Sequence, residues 1–268
     1  MDRRSLDRRE DATSVPPRRL ADIGAEGTLI AGGGSAILLQ LANPAIGHAV
    51  AKHSDFAAHP TRRLEHTLAF VYALVYGTPA QVAAVTRGVN RAHEPVVAAS
   101  GEHPYRADDP DLQLWVAATL YDTAVRVHQR LLGPLTAAEL DAIYLDYHVV
   151  GTALQVPPDA WPPNRSAFEP WWDERIRMLV VDDTARGVAR ELLYPSTGPL
   201  WLRAGMPLAR LATAGLLPPR IRQAYGMPWG PRRERRFRIA MAGLAGVNRV
   251  LPRRVREWPR DHLLRRLR

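Results

Sequence analysis

Apolar residues along this chain recur at intervals of three and four far more often than at intervals of two, which predicts helices almost throughout. Residues 62–76 carry Leu64, Leu68, Val71 and Val75 on one stripe, and residues 80–99 repeat the pattern with Val82, Val85, Val89 and Val96. Gly77-Thr78-Pro79 separates these two helices, and Asp108-Asp109-Pro110 supplies turn chemistry at the end of a loop over 101–110. Two buried helical pieces are expected at 28–41 and 44–52, broken at Asn43-Pro44. Others are expected at 112–132, from Thr136 to about 154, and at 167–180, 184–193, 199–214, 219–224 and 232–250. Thr136 and Glu139 have the spacing of a capping box, and Asp182-Asp183-Thr184 reads as a helix N-cap rather than a carboxylate dyad. The fold class that follows is all-α, a single irregular domain of about ten helices, too many for a simple four-helix bundle. Residues 1–20 read as frayed and 21–231 as the helical body. Residues 232–268 read as a basic amphipathic helix packed on the domain or trailing it.

Composition narrows the function classes. Of 268 residues, 46% are apolar, which excludes a disordered or fibrous chain. There is no cysteine, so disulfide frameworks, a disulfide-linked partner, thiolate metal sites, thiol catalysis and covalent c-type haem attachment are excluded together. The formal net charge of +9 is concentrated in the tail: residues 232–268 hold 13 arginines against Glu234, Glu257 and Asp261. The remainder is nearly neutral, so the high pI does not mark a nucleic-acid-binding body. The tail alone is the candidate for weak contact with an anionic membrane or nucleic acid. Charged residues follow the paired arginines near the start, where a signal peptide needs an apolar core. The longest uncharged stretch, 27–51, contains Gly32, Gly33, Gly34, Asn43, Pro44 and His48, and reads as a buried helix pair rather than a membrane span. The expectation is a soluble, cytoplasmic protein.

Histidine offers the chemistry most suited to neutral pH here. His93 lies four residues after Val89 and three before Val96, on the apolar stripe of its helix. A neutral imidazole there needs a hydrogen bond or a metal, and periodicity alone leaves both a satisfied core histidine and a metal ligand open. On the preceding helix Arg63, His66 and Thr67 share a face, being three and four residues apart. Arg63 sits near a helix start, where its charge opposes the dipole and asks for an anion, either an aspartate or a ligand. Thr119 and Asp122 flank the apolar face of the 112–132 helix and either line a pocket or edge a solvated surface. No strand precedes Gly32-Gly33-Gly34 and GxGxxG spacing is absent, so this run predicts close helix contact rather than a phosphate loop. HExxH and GxSxG are both absent.

One set of landmarks is more specific in its order than in any single member. It comprises Asn43-Pro44-Ala45, His53-Ser54, Arg63-Leu64 with Thr67, Val75-Tyr76-Gly77-Thr78, His93 and Tyr105-Arg106-Ala107-Asp108-Asp109-Pro110. Leu114-Trp115-Val116-Ala117-Ala118-Thr119-Leu120, Leu217-Pro218 and Tyr225-Gly226 complete it. From about Gly32 to Trp229 the chain resembles the rubber oxygenase (latex-clearing protein) and MpaB-type oxygenase family. That resemblance implies an all-α fold enclosing a pocket for non-covalent b-type haem. It implies a haem-dependent oxygenase, an oxidoreductase using dioxygen on a small apolar substrate, isoprenoid or another alkene. His93 then corresponds to the iron ligand, with Arg63 and Thr67 around the haem and Thr67, His66 and Arg63 as the catalytic candidates. Two positions depart from the rubber-cleaving members. His66 stands where they carry a lysine, and Ile46-Gly47-His48 lacks the acid they use as a base, so polyisoprene is not the expected substrate. The other classes to separate are a non-catalytic haem-binding protein and a helical scaffold with a polyanion-binding tail.

Overall fold

A computed structural model describes residues 16–53, 62–196 and 199–267. The frayed segment expected over 1–20 falls mostly outside the described residues, as does Ser54 of the His53-Ser54 landmark.

The described residues form fourteen α-helices, one 3-10 turn (Gly27–Gly32) and a single two-stranded hairpin, an all-α fold. The first helices are α1 (Leu20–Ile23), α2 (Gly33–Leu41), α3 (Pro44–His53), α4 (Arg62–Tyr76) and α5 (Pro79–His93). Strands β1 (Val97–Ala98) and β2 (Tyr105–Arg106) follow. Next come α6 (Pro110–Leu131), α7 (Ala137–Gly151), α8 (Arg165–Met178), α9 (Asp183–Leu193), α10 (Leu200–Leu216) and α11 (Pro219–Ala224). The tail forms α12 (Pro231–Val250), α13 (Arg253–Arg256) and α14 (Trp258–Arg266). The number exceeds ten because α1 and α13 are too short to leave a periodic signature, and because the tail breaks at Leu251-Pro252 and again at Glu257 into three helices.

The longest helix, α6, runs through the core. Asp109 caps it by accepting from the amides of Asp111 (2.8 Å) and Leu112 (3.3 Å), and Pro110 pre-sets its first turn. Its buried residues include Leu114, Trp115, Ala118, Tyr121, Val127 and Leu131. Two buried polar contacts fix α2 against it. The Trp115 indole donates to the Leu39 carbonyl (3.1 Å), and the Gln40 amide donates to the Thr119 hydroxyl (3.0 Å). Thr119 is thus part of a helix contact within the core. Gly32 and Gly34 also serve close approach. A methyl group on Gly32 would run into Thr123 of α6, and one on Gly34 into Thr213 of α10. A second core joins Val127 and Leu131 of α6, Ala212 and Leu216 of α10, and Phe237 and Met241 of α12. The bend at Asn43-Pro44 turns α3 by 109° from the stretch before it, and no single described helix is long and apolar enough to cross a membrane.

Two expected elements differ. The piece expected over 28–41 opens as the 3-10 turn Gly27–Gly32, and the α-helix begins only at Gly33. The helix predicted over 80–99 stops at His93, because Pro95 has no amide proton to continue the ladder. The chain then turns, the Val96 amide donating to the His93 carbonyl (2.8 Å), and enters the β1–β2 hairpin with Val97 opposite Arg106. Gly101, at φ +117°, supplies the backbone conformation the hairpin turn requires.

Candidate functional site

Helices α4 and α5 are consecutive and pack together, and their junction is set by local chemistry. Thr78 caps α5 by accepting from the Gln81 amide (3.3 Å), and the Gln81 side chain accepts from the Thr78 amide (2.9 Å), with Pro79 at the first helical position. This arrangement brings the first turn of α4, with Arg63, near the last turn of α5, with His93.

His93 is half-buried and its Nδ1 is buried without a hydrogen-bond partner. Burial lowers its pKa below the usual histidine value, the positive charge of Arg63 lowers it further, and Asp108 opposes the shift. The imidazole is therefore neutral at physiological pH and keeps a lone pair free. Burial of the Arg63 guanidinium lowers its pKa to about 10, so it remains a cation beside that neutral ring. Thr67 is half-buried one turn further along α4, and its hydroxyl donates to the Arg63 carbonyl (2.9 Å). His66 is exposed. Of the four candidates, Arg63 and His93 interact directly through charge, Thr67 shares the half-buried face, and His66 points to solvent.

On the other side of the hairpin lies a group that the linear sequence does not announce. His48 Nε2 contacts Asp182 Oδ2 (2.9 Å), and the His103 ring meets that of His48 edge-on, centroids 4.8 Å apart. One potential ligand atom from each of the three residues lies within 4.8 Å of the others. Asp182 is also the N-cap of α9, the first residue of the Asp182-Asp183-Thr184 run expected there, its Oδ1 accepting from the Ala185 amide (2.7 Å). No pairwise spacing would have revealed this group, because its members come from α3, the hairpin turn and the start of α9. Nearby, His53 at the end of α3 contacts the Tyr105 hydroxyl (3.0 Å) and ties α3 to β2. Two open surface depressions border Trp229, and His93 lines neither.

Residues 21–246 match the family described as ER-bound oxygenase mpaB/B'/rubber oxygenase, catalytic domain. The chain belongs to that family. The match extends beyond Trp229 into α12, which fits the packing of Phe237 and Met241 in the second core. Two mycobacterial relatives, the uncharacterised proteins Mb2261 of Mycobacterium bovis and Rv2237 of Mycobacterium tuberculosis, are each 36% identical over 227 residues. The alignment covers 81% of this chain and 88% of either relative. No solved structure matches. Membership of the oxygenase family supports an enzyme of oxygenase type.

Proposed function

We propose that this member of the oxygenase family works with non-covalent b-type haem on a small apolar substrate, with His93 as the iron ligand. The observation that carries the reading is the His93 imidazole, with a buried Nδ1 that no protein group satisfies and a pKa pushed down so that the ring stays neutral. A buried polar atom without a partner is costly, and coordination by the same ring gives the imidazole a use for its position. Arg63 fits the same group, as a cation next to His93 and suited to the carboxylate of a haem propionate.

Haem, when bound, supplies the dioxygen chemistry. The chain's own part is to hold, orient and exclude water. His93, placed at the end of α5 by the Pro95 stop, presents its lone pair from a rigid helix. Arg63 fixes orientation through its charge. Thr67 is the half-buried hydroxyl on the same face of α4; its proton is committed to the Arg63 carbonyl, which leaves its oxygen to accept a hydrogen bond. His66 takes a catalytic role only by swinging inward from its exposed position.

The test is spectroscopic. Protein purified with haem is expected to show a Soret band, and His93→Ala is expected to lose haem while its circular dichroism is unchanged. Full haem retention in that variant would overturn the ligand assignment. Oxygen uptake on adding isoprenoid or aromatic alkenes, absent in His93→Ala, is the expected sign of turnover. A stable Soret band with no uptake on any such alkene would make the chain a haem-binding protein without oxygenase activity.

A further inference from the structure

We propose that His48, His103 and Asp182 form a second site, for a divalent transition-metal ion of the zinc class, separate from His93. Two imidazoles and one carboxylate are a donor set that such ions favour, and three protein ligands with an open position describe a site that admits water or a small ligand. The three side chains are partly open, at 34%, 31% and 23% exposure, which provides that access.

Much of the geometry is already built. His48 stands on α3, whose start is fixed by the Asn43 side chain accepting from the Ala45 amide (3.1 Å). Asp182 has one oxygen committed to capping α9 and presents the other to His48. Around a tetrahedral ion with bonds of about 2.0–2.2 Å, ligand atoms lie roughly 3.4 Å apart. His48 and Asp182 are already closer than that at 2.9 Å, so an ion replaces their hydrogen bond. His103 closes the remaining distance, and it is the residue free to do so. It sits in the hairpin turn and makes no hydrogen bond among the described residues, with Glu102 standing off at 3.9 Å. A hydrogen bond between His48 and Asp182 alone explains two of the three residues but leaves His103, half-buried and packed against His48, without a hydrogen bond among the described residues. An ion accounts for all three. The dipole at the start of α9 opposes a cation, and the Asp182 carboxylate offsets that field.

Such an ion joins α3, α9 and the hairpin, and the hairpin begins four residues after His93. Metal loading therefore stiffens the segment that follows the haem-ligand candidate without involving that residue.

The experiment uses the full chain stripped with a chelator and titrated with Zn2+ alone, read by calorimetry and by melting temperature, with Co2+ absorption as a report on coordination. The expected result is one ion per chain, a raised melting temperature and a Co2+ spectrum of nitrogen and oxygen ligation. His103→Ala removes one partly exposed ring from a turn outside the core, and Asp182→Asn keeps a good N-cap, so both variants should fold. Each is expected to lose at least the roughly 10–100-fold of affinity that removal of a mere second-shell partner costs. His93→Ala is expected to bind Zn2+ as wild type does, so failure of the haem reading and failure of this one are distinguishable. Absence of stoichiometric Zn2+ binding in the wild-type chain, or binding unchanged in both His103→Ala and Asp182→Asn, overturns the proposal.

Discussion

His128 is 2% exposed on α6, and its Nδ1, like that of His93, has no hydrogen-bond partner. Burial first, and the positive charge of Arg18 second, push its pKa down to about 4, against an opposing effect of Glu139. In the unfolded chain the same imidazole takes a proton near pH 6.5. Between about pH 6.5 and 4 the unfolded state therefore binds a proton that the native state refuses. Native stability is unaffected above that window and declines as pH falls through it, by at most about 3 kcal/mol from this group. Glu139 acts lower on the scale. Its hydrogen bond from Arg18 and then the Thr136 amide hold its pKa near 2, so its contribution is present above about 4.5 and is lost as pH falls towards 2. His128→Leu removes the proton-binding group and the unsatisfied nitrogen together. Its melting temperature is expected to vary less between pH 6.5 and 4 than that of wild type. Identical slopes in the two proteins would show that His128 is not the group responsible. His93 shifts in the same direction, so a residual slope in the variant is expected.

Helices with unbroken stripes were the legible elements. Leu64, Leu68, Val71 and Val75 marked α4 by their spacing and Gly77-Thr78-Pro79 marked its end, while Thr136 with Glu139 marked the start of α7, where the structure has the reciprocal capping bonds at 2.8 and 3.2 Å. What periodicity did not show is where α5 stops, since Val96 continues the stripe that Pro95 interrupts. Tertiary geometry also decides how close two helices come, and sequence hints at it only through residues such as Gly34. That glycine lies against Thr213, a residue 1% exposed on α10. Gly34→Ala is expected to destabilise the fold by about 1–3 kcal/mol, because an added methyl in a packed contact forces side chains or backbone to move. Thr213→Ala removes the nearest atom. The double variant is therefore expected to be more stable than the sum of the two single losses implies, a coupling that urea denaturation of all four proteins would measure. Strict additivity would mean that α2 and α10 do not meet at this point.

Across the whole molecule, the pairing of Arg63 with His93 was expected only through the family resemblance, whereas nothing in the sequence announced the His48–His103–Asp182 group, because only the folded chain assembles it. The tail shows the same limit. Its arginines dominate the sequence, but its few apolar residues determine its place in the fold. Phe237 and Met241 are 1% and 4% exposed, Leu263 is 8% exposed, and α14 packs on α4, the helix that bears Arg63. Some of the charge is also neutralised internally, with Arg253 and Arg260 on Glu257 (2.6 and 3.0 Å) and Arg256 on Glu26. Deleting residues 232–268 would uncover Val127, Leu131, Ala212 and Leu216, so truncation is expected to abolish cooperative unfolding, and with it the haem binding proposed for the body. It therefore cannot test whether the tail binds polyanions. Arg232, Arg235, Arg236 and Arg238 are exposed on α12 and make no hydrogen bond within the described residues. Replacing all four with Gln leaves Phe237 and Met241 in place and removes four positive charges. The melting temperature of that variant is expected to stay close to wild type. If this face meets an anionic membrane, co-sedimentation with anionic vesicles at low salt should weaken steeply, since each basic residue near such a surface is worth about 1 kcal/mol. Vesicle binding that is unchanged in the variant and insensitive to salt would remove the basic face of α12 as a docking surface.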